Sequence, residues 1–221
     1  HIQTDAVDQM ETEQALRALC ALSRAEAGAN GVFQMDDTVL QALPFTDLAN
    51  HWGYAYIAAV FEQGLMRGTS STTFDPEVSV TRGMLVTILY RVEGTPKAET
   101  AAAFDDVRPG SWYADAVAWA HANGIVLGYG ESRFGPADDV TREQFATILY
   151  RYTAFKEGDL GGKAALSAYA DADAVSAWAK DAMQWAVGNG LIQGMTADTL
   201  SPRGTATRAQ AATILTRYLN D

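Results

Sequence analysis

A chain of 221 residues, 48% of them apolar, has room for one or two ordinary domains or for several small units sharing one core. Its formal charge of −11 excludes a nucleic-acid-binding face, which needs clustered cations. No apolar run approaches the roughly 18 residues of a membrane span, so no membrane insertion is expected.

Residues 1–44 come first and match no later part of the chain in full. Thr12-Glu13-Gln14 followed by Leu16, Leu19 and Cys20 resembles the helix starts found further on. The segment reads as an N-terminal helical cap or a vestigial repeat, the cap being preferred because terminal units of repeat proteins are atypical. Cys20 is the single cysteine. Its apolar helical setting marks a core thiol, and its solitude excludes internal disulfides. The first residues show no charged-then-apolar signal pattern.

Three copies of one segment follow, at 45–93, 104–153 and 169–221. Trp52, Gly64, Gly68, Pro76 and Thr81-Arg82 reappear as Trp112, Gly124, Gly128, Pro136 and Thr141-Arg142. They appear again as Trp178, Gly190, Gly194, Pro202 and Thr207-Arg208. The offsets from the Trp are identical each time, which marks a repeat protein. Phe45-Thr46-Asp47, Phe104-Asp105-Asp106 and Tyr169-Ala170-Asp171 open the copies. Breakers in the linkers, Gly94 with Pro96 and Gly161-Gly162, separate them.

Within the middle copy, Ser111 is a plausible N-cap for a helix over Trp112 to Asn123, with Trp112, Ala116, Trp119 and Ala120 on one face. Gly124 supplies the left-handed stop, as do Gly64 and Gly190. A Gly-led loop makes a tight hairpin-like excursion that Pro136 ends. A second helix starts at Thr141-Arg142, where Thr141 and Gln144 fit a reciprocal cap, as do Thr207 and Gln210. The first copy has Met84 there and keeps only the Thr cap. Leu85/Ile88/Leu89/Val92, Phe145/Ile148/Leu149/Tyr152 and Ala211/Ile214/Leu215/Tyr218 form apolar stripes. Three equivalent helices can bury these against each other in a pseudo-threefold bundle. The fold class is mainly α.

Arg82, Arg142 and Arg208 each hold the first helical position, where the helix dipole makes a cation locally unfavourable. A local rule broken three times points to a compensating anion. One reading is an external carboxylate or phosphate held by the guanidinium and the helix-start amides. The other is internal: Asp47, Asp105, Asp171 or the spare Asp106 pairs with these arginines and staples the copies together. Trp52, Trp112 and Trp178 are most simply core residues, with a half-exposed sugar-stacking ring as the alternative. Gly68, Gly128 and Gly194 read as turn residues first and as bare backbone for a ligand second. His1, His51 and His121 have no metal-ligand spacing, and no nucleophile elbow, phosphate loop or calcium loop is present. No catalytic residues, metal or cofactor are expected, and the chain reads as no enzyme.

The middle copy's Phe-x-Asp, Trp, Asn-Gly-Ile, Gly-Tyr-Gly, Phe-x-Pro and Val-Thr-Arg-Glu-Gln-Phe resemble the S-layer homology domain. The resemblance covers about Phe45 to Tyr218. It implies a pseudo-threefold spindle with a central helical bundle and an anchoring module of a secreted protein at the bacterial cell surface, wall or S-layer. The partner it implies is a secondary cell-wall polysaccharide with an acidic, for instance pyruvylated, substituent, bound non-covalently between repeats by a module that is monomeric in isolation. By the same resemblance, Arg82, Arg142 and Arg208 face the acidic substituent, and Trp52/Gly68, Trp112/Gly128 and Trp178/Gly194 line the grooves. The acidic residue after Thr-Arg is kept as Glu143 but replaced by Gly83 and Ala209, so the grooves differ, and that of Arg142 is closest to the family pattern. The alternative is a protein-interaction or self-assembly module of a surface-layer protein.

Overall fold

A computed structural model describes residues 43–98, 104–130 and 132–220. The expectations for residues 1–42, Cys20 among them, lie outside the described residues. Among the described residues six α-helices account for most regular structure: α1 (Tyr54–Glu62), α2 (Arg82–Val92), α3 (Ala114–Ala122), α4 (Arg142–Phe155), α5 (Lys180–Gly188) and α6 (Arg208–Asn220). Among the described residues extended pairing is limited to isolated bridges. The mainly α class holds.

The punctuation read from the sequence accounts for the helix ends. At the ends of α1, α3 and α5, Gly64, Gly124 and Gly190 take φ of 69°, 68° and 69°. Each glycine amide donates to the third residue before it, and the next amide (Leu65, Ile125, Leu191) reaches back five residues, to Val60, Ala120 and Ala186. These two bonds form a Schellman motif. Thr81, Thr141 and Thr207 cap α2, α4 and α6 by accepting the amide three residues on, each at 3.3 Å. Gln144 and Gln210 return the bond to the Thr amides at 3.2 Å.

The first helix of the middle copy is shorter than expected. α3 begins at Ala114, and Ser111 serves through its carbonyl, which accepts the Ala114 amide, while its hydroxyl donates to Arg108. Trp112 therefore precedes the helix and does not share the buried face of Ala116, Trp119 and Ala120.

The copies pack head to tail. α2 packs on α3, α4 on α5 and α6 on α1, so each second helix lies against the first helix of the next copy and the last copy returns to the first. These pairings account for one side of each second helix, whose apolar stripe was expected to face the other two. The stripes are buried all the same, apart from a half-buried Val92 and Tyr218. The second helices meet through side chains at their C-terminal ends. The Tyr152 hydroxyl donates to Glu93 at 2.5 Å, and Thr153 donates to the Tyr218 hydroxyl at 3.0 Å. At the opposite ends three residues form a closed ring of backbone bonds: Val80 N–H to Ala206, Ala206 N–H to Val140, and Val140 N–H to Val80.

Each junction also has its own side-chain fit. At two junctions the residue after Arg faces the residue after Trp in the next copy. Gly83 lies under Tyr113, where an added Cβ would come within 3.5 Å of the tyrosine Cβ. Ala209 meets Gly53, with 3.3 Å between the Ala Cβ and one added at the glycine. At the remaining junction the buried Glu143 carboxylate accepts the Ser176 amide at 2.8 Å and its hydroxyl at 2.9 Å.

Candidate functional site

The three arginines are buried, each about 5% exposed or less. None pairs with a carboxylate among the described residues. Their acceptors are main-chain carbonyls of the next copy. Arg82 Nε donates to Phe134 at 2.9 Å and one Nη to Leu127 at 3.1 Å. Arg142 reaches Leu200 at 2.8 Å and Gln193 at 2.5 Å. Arg208 reaches Phe74 at 2.8 Å and Arg67 at 2.6 Å. Burial lowers all three guanidinium pKa values, offset for Arg142 by Asp171 and for Arg208 by Asp75 and Asp47. Arginine stays charged regardless.

The internal staple thus exists, made by carbonyls in place of the expected aspartates. The helix-start amides are also taken. Those of Arg82, Arg142 and Arg208 donate to Asp138, Gly204 and Val78, and those of Gly83, Glu143 and Ala209 to Pro136, Pro202 and Pro76. The amide anion site expected at these helix starts is closed. What remains is one Nη on each guanidinium without an acceptor among the described residues. No side-chain nitrogen there is both buried and unpaired, so that Nη meets solvent.

Asp47, Asp106 and Asp171 occupy equivalent positions and hold the loop before each proline. Asp47 accepts the Phe74 and Asp75 amides at 3.0 and 2.7 Å, Asp106 those of Phe134 and Gly135 at 2.8 and 2.7 Å, and Asp171 those of Leu200 and Ser201 at 2.8 and 2.7 Å. Asp75, Gly135 and Ser201 are left-handed, at φ 55°, 73° and 51°. For Asp75 and Ser201 that conformation costs on the order of 1 kcal/mol, and the paired carboxylate bonds hold it. Asp105 takes no part: it is exposed, and its amide donates to Ser132.

The bonded carboxyls sit below the ordinary aspartate range. Burial pushes Asp47 and Asp106 up, but the two loop amides on each outweigh it. For Asp171 the Leu200 amide is the largest influence and lowers it. A depressed carboxyl adds stability above its unfolded value, near pH 4, that is lost as pH falls through the lower folded value. Urea midpoints are therefore expected to hold from about pH 7 to 5 and drop below about pH 4. Asp106→Asn should lower the midpoint at neutral pH and flatten that acid limb. An unchanged acid limb would refute the assignment.

Trp52, Trp112 and Trp178 lie at the surface, 58, 61 and 57% exposed, which corrects the core placement expected first. Each stands in the chain between its opening Asp and the loop that Asp braces. Gly68, Gly128 and Gly194 are filled from inside the protein. A Cβ at Gly128 would lie 2.6 Å from the Arg133 carbonyl and 2.7 Å from the Phe104 ring, and Phe45 and Tyr169 crowd the other two. These glycines admit the opening aromatic, not a ligand.

Beside Trp112 lies a cleft of about 580 Å³, lined by Asp106, Arg108, Trp112, Tyr113, Arg133, Pro136 and Asp138 among others. Arg133 pairs with Asp138 at 2.6 Å and lies 5.2 Å from the Tyr129 ring, which the Arg82 guanidinium also approaches at 4.4 Å. The sequence reading passed over Arg108 and Arg133 because neither recurs: position 133 is Thr73 and Thr199 in the other copies.

Three solvent-facing tryptophans, one on each copy, suit a binding module. The S-layer homology domain model matches residues 44–83, 103–146 and 168–212. The chain belongs to that family, and it forms a cell-surface anchoring module. It is 32% identical over 179 residues to an endoglucanase of Bacillus sp. (strain KSM-635), covering 80% of this chain and 19% of that protein. It is 32% identical over 188 residues to the surface-layer 125 kDa protein of Lysinibacillus sphaericus (83% and 16%). To the exoglucanase XynX of Acetivibrio thermocellus it is 29% identical over 179 residues (79% and 16%). The chain spans less than a fifth of each of these proteins. The shared part is the binding module, and the enzyme names describe the longer relatives.

Proposed function

We propose that this chain holds a longer protein at the cell wall by binding an acidic secondary cell-wall polysaccharide non-covalently in the clefts between copies. The observation that carries this reading is the triplet of buried guanidiniums, each without a carboxylate partner among the described residues and each keeping one Nη toward solvent. A buried cation without an anion is electrostatically incomplete, and an acidic sugar substituent completes it. Arg82, Arg142 and Arg208 receive that anion, for instance a pyruvate ketal, and the exposed faces of Trp52, Trp112 and Trp178 take the sugar ring. Asp47, Asp106 and Asp171 support the site by fixing loop shape. The contacts between copies close within one chain, which favours a monomeric module built from the three segments 45–93, 104–153 and 169–221.

The test is a calorimetric titration of the chain with purified pyruvylated wall polysaccharide, before and after mild acid removal of the ketal. Binding is expected to fall at least tenfold on removal, the worth of about one charge-assisted bond. Equal affinity for both forms sinks the acidic-ligand reading. Retention on walls stripped of the polysaccharide would instead support a protein partner.

A further inference from the structure

The surroundings of the three tryptophans repeat in sequence register but differ in charge, and the difference lies in residues that do not repeat. Beside Trp112 the lining contributes Arg108 and Arg133, facing Asp106 and Asp138. Both carboxylates are already engaged, Asp106 with two loop amides and Asp138 with Arg133. Arg108 pairs with no carboxylate among the described residues. Beside Trp52, the same stretches of chain provide Thr73 in place of Arg133, and His51 bonded at 2.8 Å to Glu77. His51 Nδ1 also accepts the Gly53 amide at 3.0 Å. Beside Trp178 they provide Thr199, Asp173 and the buried Glu143, with Arg203 as the cation.

We infer that the cleft beside Trp112 is the strongest anion site of the three, and that Arg133 sets this rank. The inference rests on the wall-glycan reading and names the charge preference of one of its clefts. Arg133 is suited to the role by its surroundings. It is half exposed, so its guanidinium can contact a ligand without first leaving a buried position. Asp138 and the Tyr129 ring hold it at the cleft's edge, which reduces the rotamer entropy lost on binding. A carboxylate entering beside the Trp112 ring meets Arg133 from one wall and Arg108 from another. At the other two tryptophans the position equivalent to Arg133 is a threonine, and the same stretches of chain carry a carboxylate (Glu77 or Asp173). On a chain of net charge −11 a lining whose two arginines balance its two aspartates is where an anion settles, because the long-range field repels it elsewhere. This ranking differs from the sequence expectation, which placed the groove of Arg142 first on motif similarity alone.

The experiment uses the whole chain and one probe, the methyl glycoside of a hexose bearing a pyruvate ketal, with its carboxyl methyl ester as the neutral control. Binding is followed by chemical-shift changes at the three Trp indole N–H groups, which report the clefts separately. The Trp112 signal is expected to saturate at the lowest concentration. Arg133→Thr, which installs the residue of the other two copies, should weaken that cleft about tenfold and leave the other two unchanged. The reciprocal Thr199→Arg should tighten the Trp178 cleft. Saturation of the Trp52 or Trp178 signal first, or an Arg133→Thr cleft that keeps its affinity, overturns the inference while the anchoring reading stands. Equal response to the acid and its ester defeats the acidic-ligand reading instead.

Discussion

Arg142→Ala is expected to cost about 3 kcal/mol of folding stability, read from urea unfolding. The substitution strips the Leu200 and Gln193 carbonyls of their donor at 2.8 and 2.5 Å. A buried acceptor left unpaired costs about 1–3 kcal/mol. It also removes the link between the second and third copies at the point where the Arg142 and Glu143 amides already bind that neighbour. Arg142→Lys should recover only part of the loss, because an ammonium cannot match the planar fork that meets two carbonyls. A change below about 0.5 kcal/mol would show the guanidinium to be dispensable to the fold. The sequence alone points the other way: an arginine reserved for a ligand would leave stability almost unchanged when removed. Loss of glycan binding by Arg142→Ala is therefore ambiguous by itself, and the exposed Arg133 is the cleaner probe.

Gly188→Ala is the second large effect, about 2 kcal/mol of destabilisation. Helix propensity alone predicts a gain of up to about 1 kcal/mol, since glycine is a poor helix residue. Packing reverses the sign. A Cβ at the end of α5 would strike the Gly162 carbonyl and lie 2.7 Å from the Ala164 amide nitrogen. The linker between copies two and three would have to lift. Three of its bonds to α5 and its cap then weaken: Ala164 N–H to Gln184 at 3.0 Å, Asn189 to Gly161 at 3.1 Å, and Trp185 Nε1–H to Asp159 at 3.2 Å. A thermal melt that rises on substitution would show the linker to be loosely held.

The repeat register, the glycine stops and the threonine caps were legible because each is a local rule that needs only neighbours in sequence. The binding partners of Arg82, Arg142 and Arg208 were not. Their acceptors are carbonyls 45 to 141 residues away, and a main-chain carbonyl carries no side-chain signature. Trp52, Trp112 and Trp178 misled for a related reason. At the start of an apolar helix a tryptophan looks like core, but here each helix begins two residues later, and the indole stays outside. The aspartates were placed at the right point and assigned the wrong neighbour. Their distance to the residue before the proline drifts, from 28 positions (Asp47 to Asp75) to 29 (Asp106 to Gly135) and 30 (Asp171 to Ser201), so the pairing is visible only once the loop amides are known to need an acceptor.

The fitted contacts at the junctions fix the order of the copies as firmly as their number. Exchange of the second and third segments would bring Glu143 against Gly53, away from the Ser176 donors that now satisfy it. It would also leave Gly83 facing Ala179, with a hollow where the tyrosine had been. An ionised group sealed in without donors costs several kcal/mol. The backbones are interchangeable, yet the joints are lock and key, so drift within any one segment is constrained by a single residue in the segment that follows.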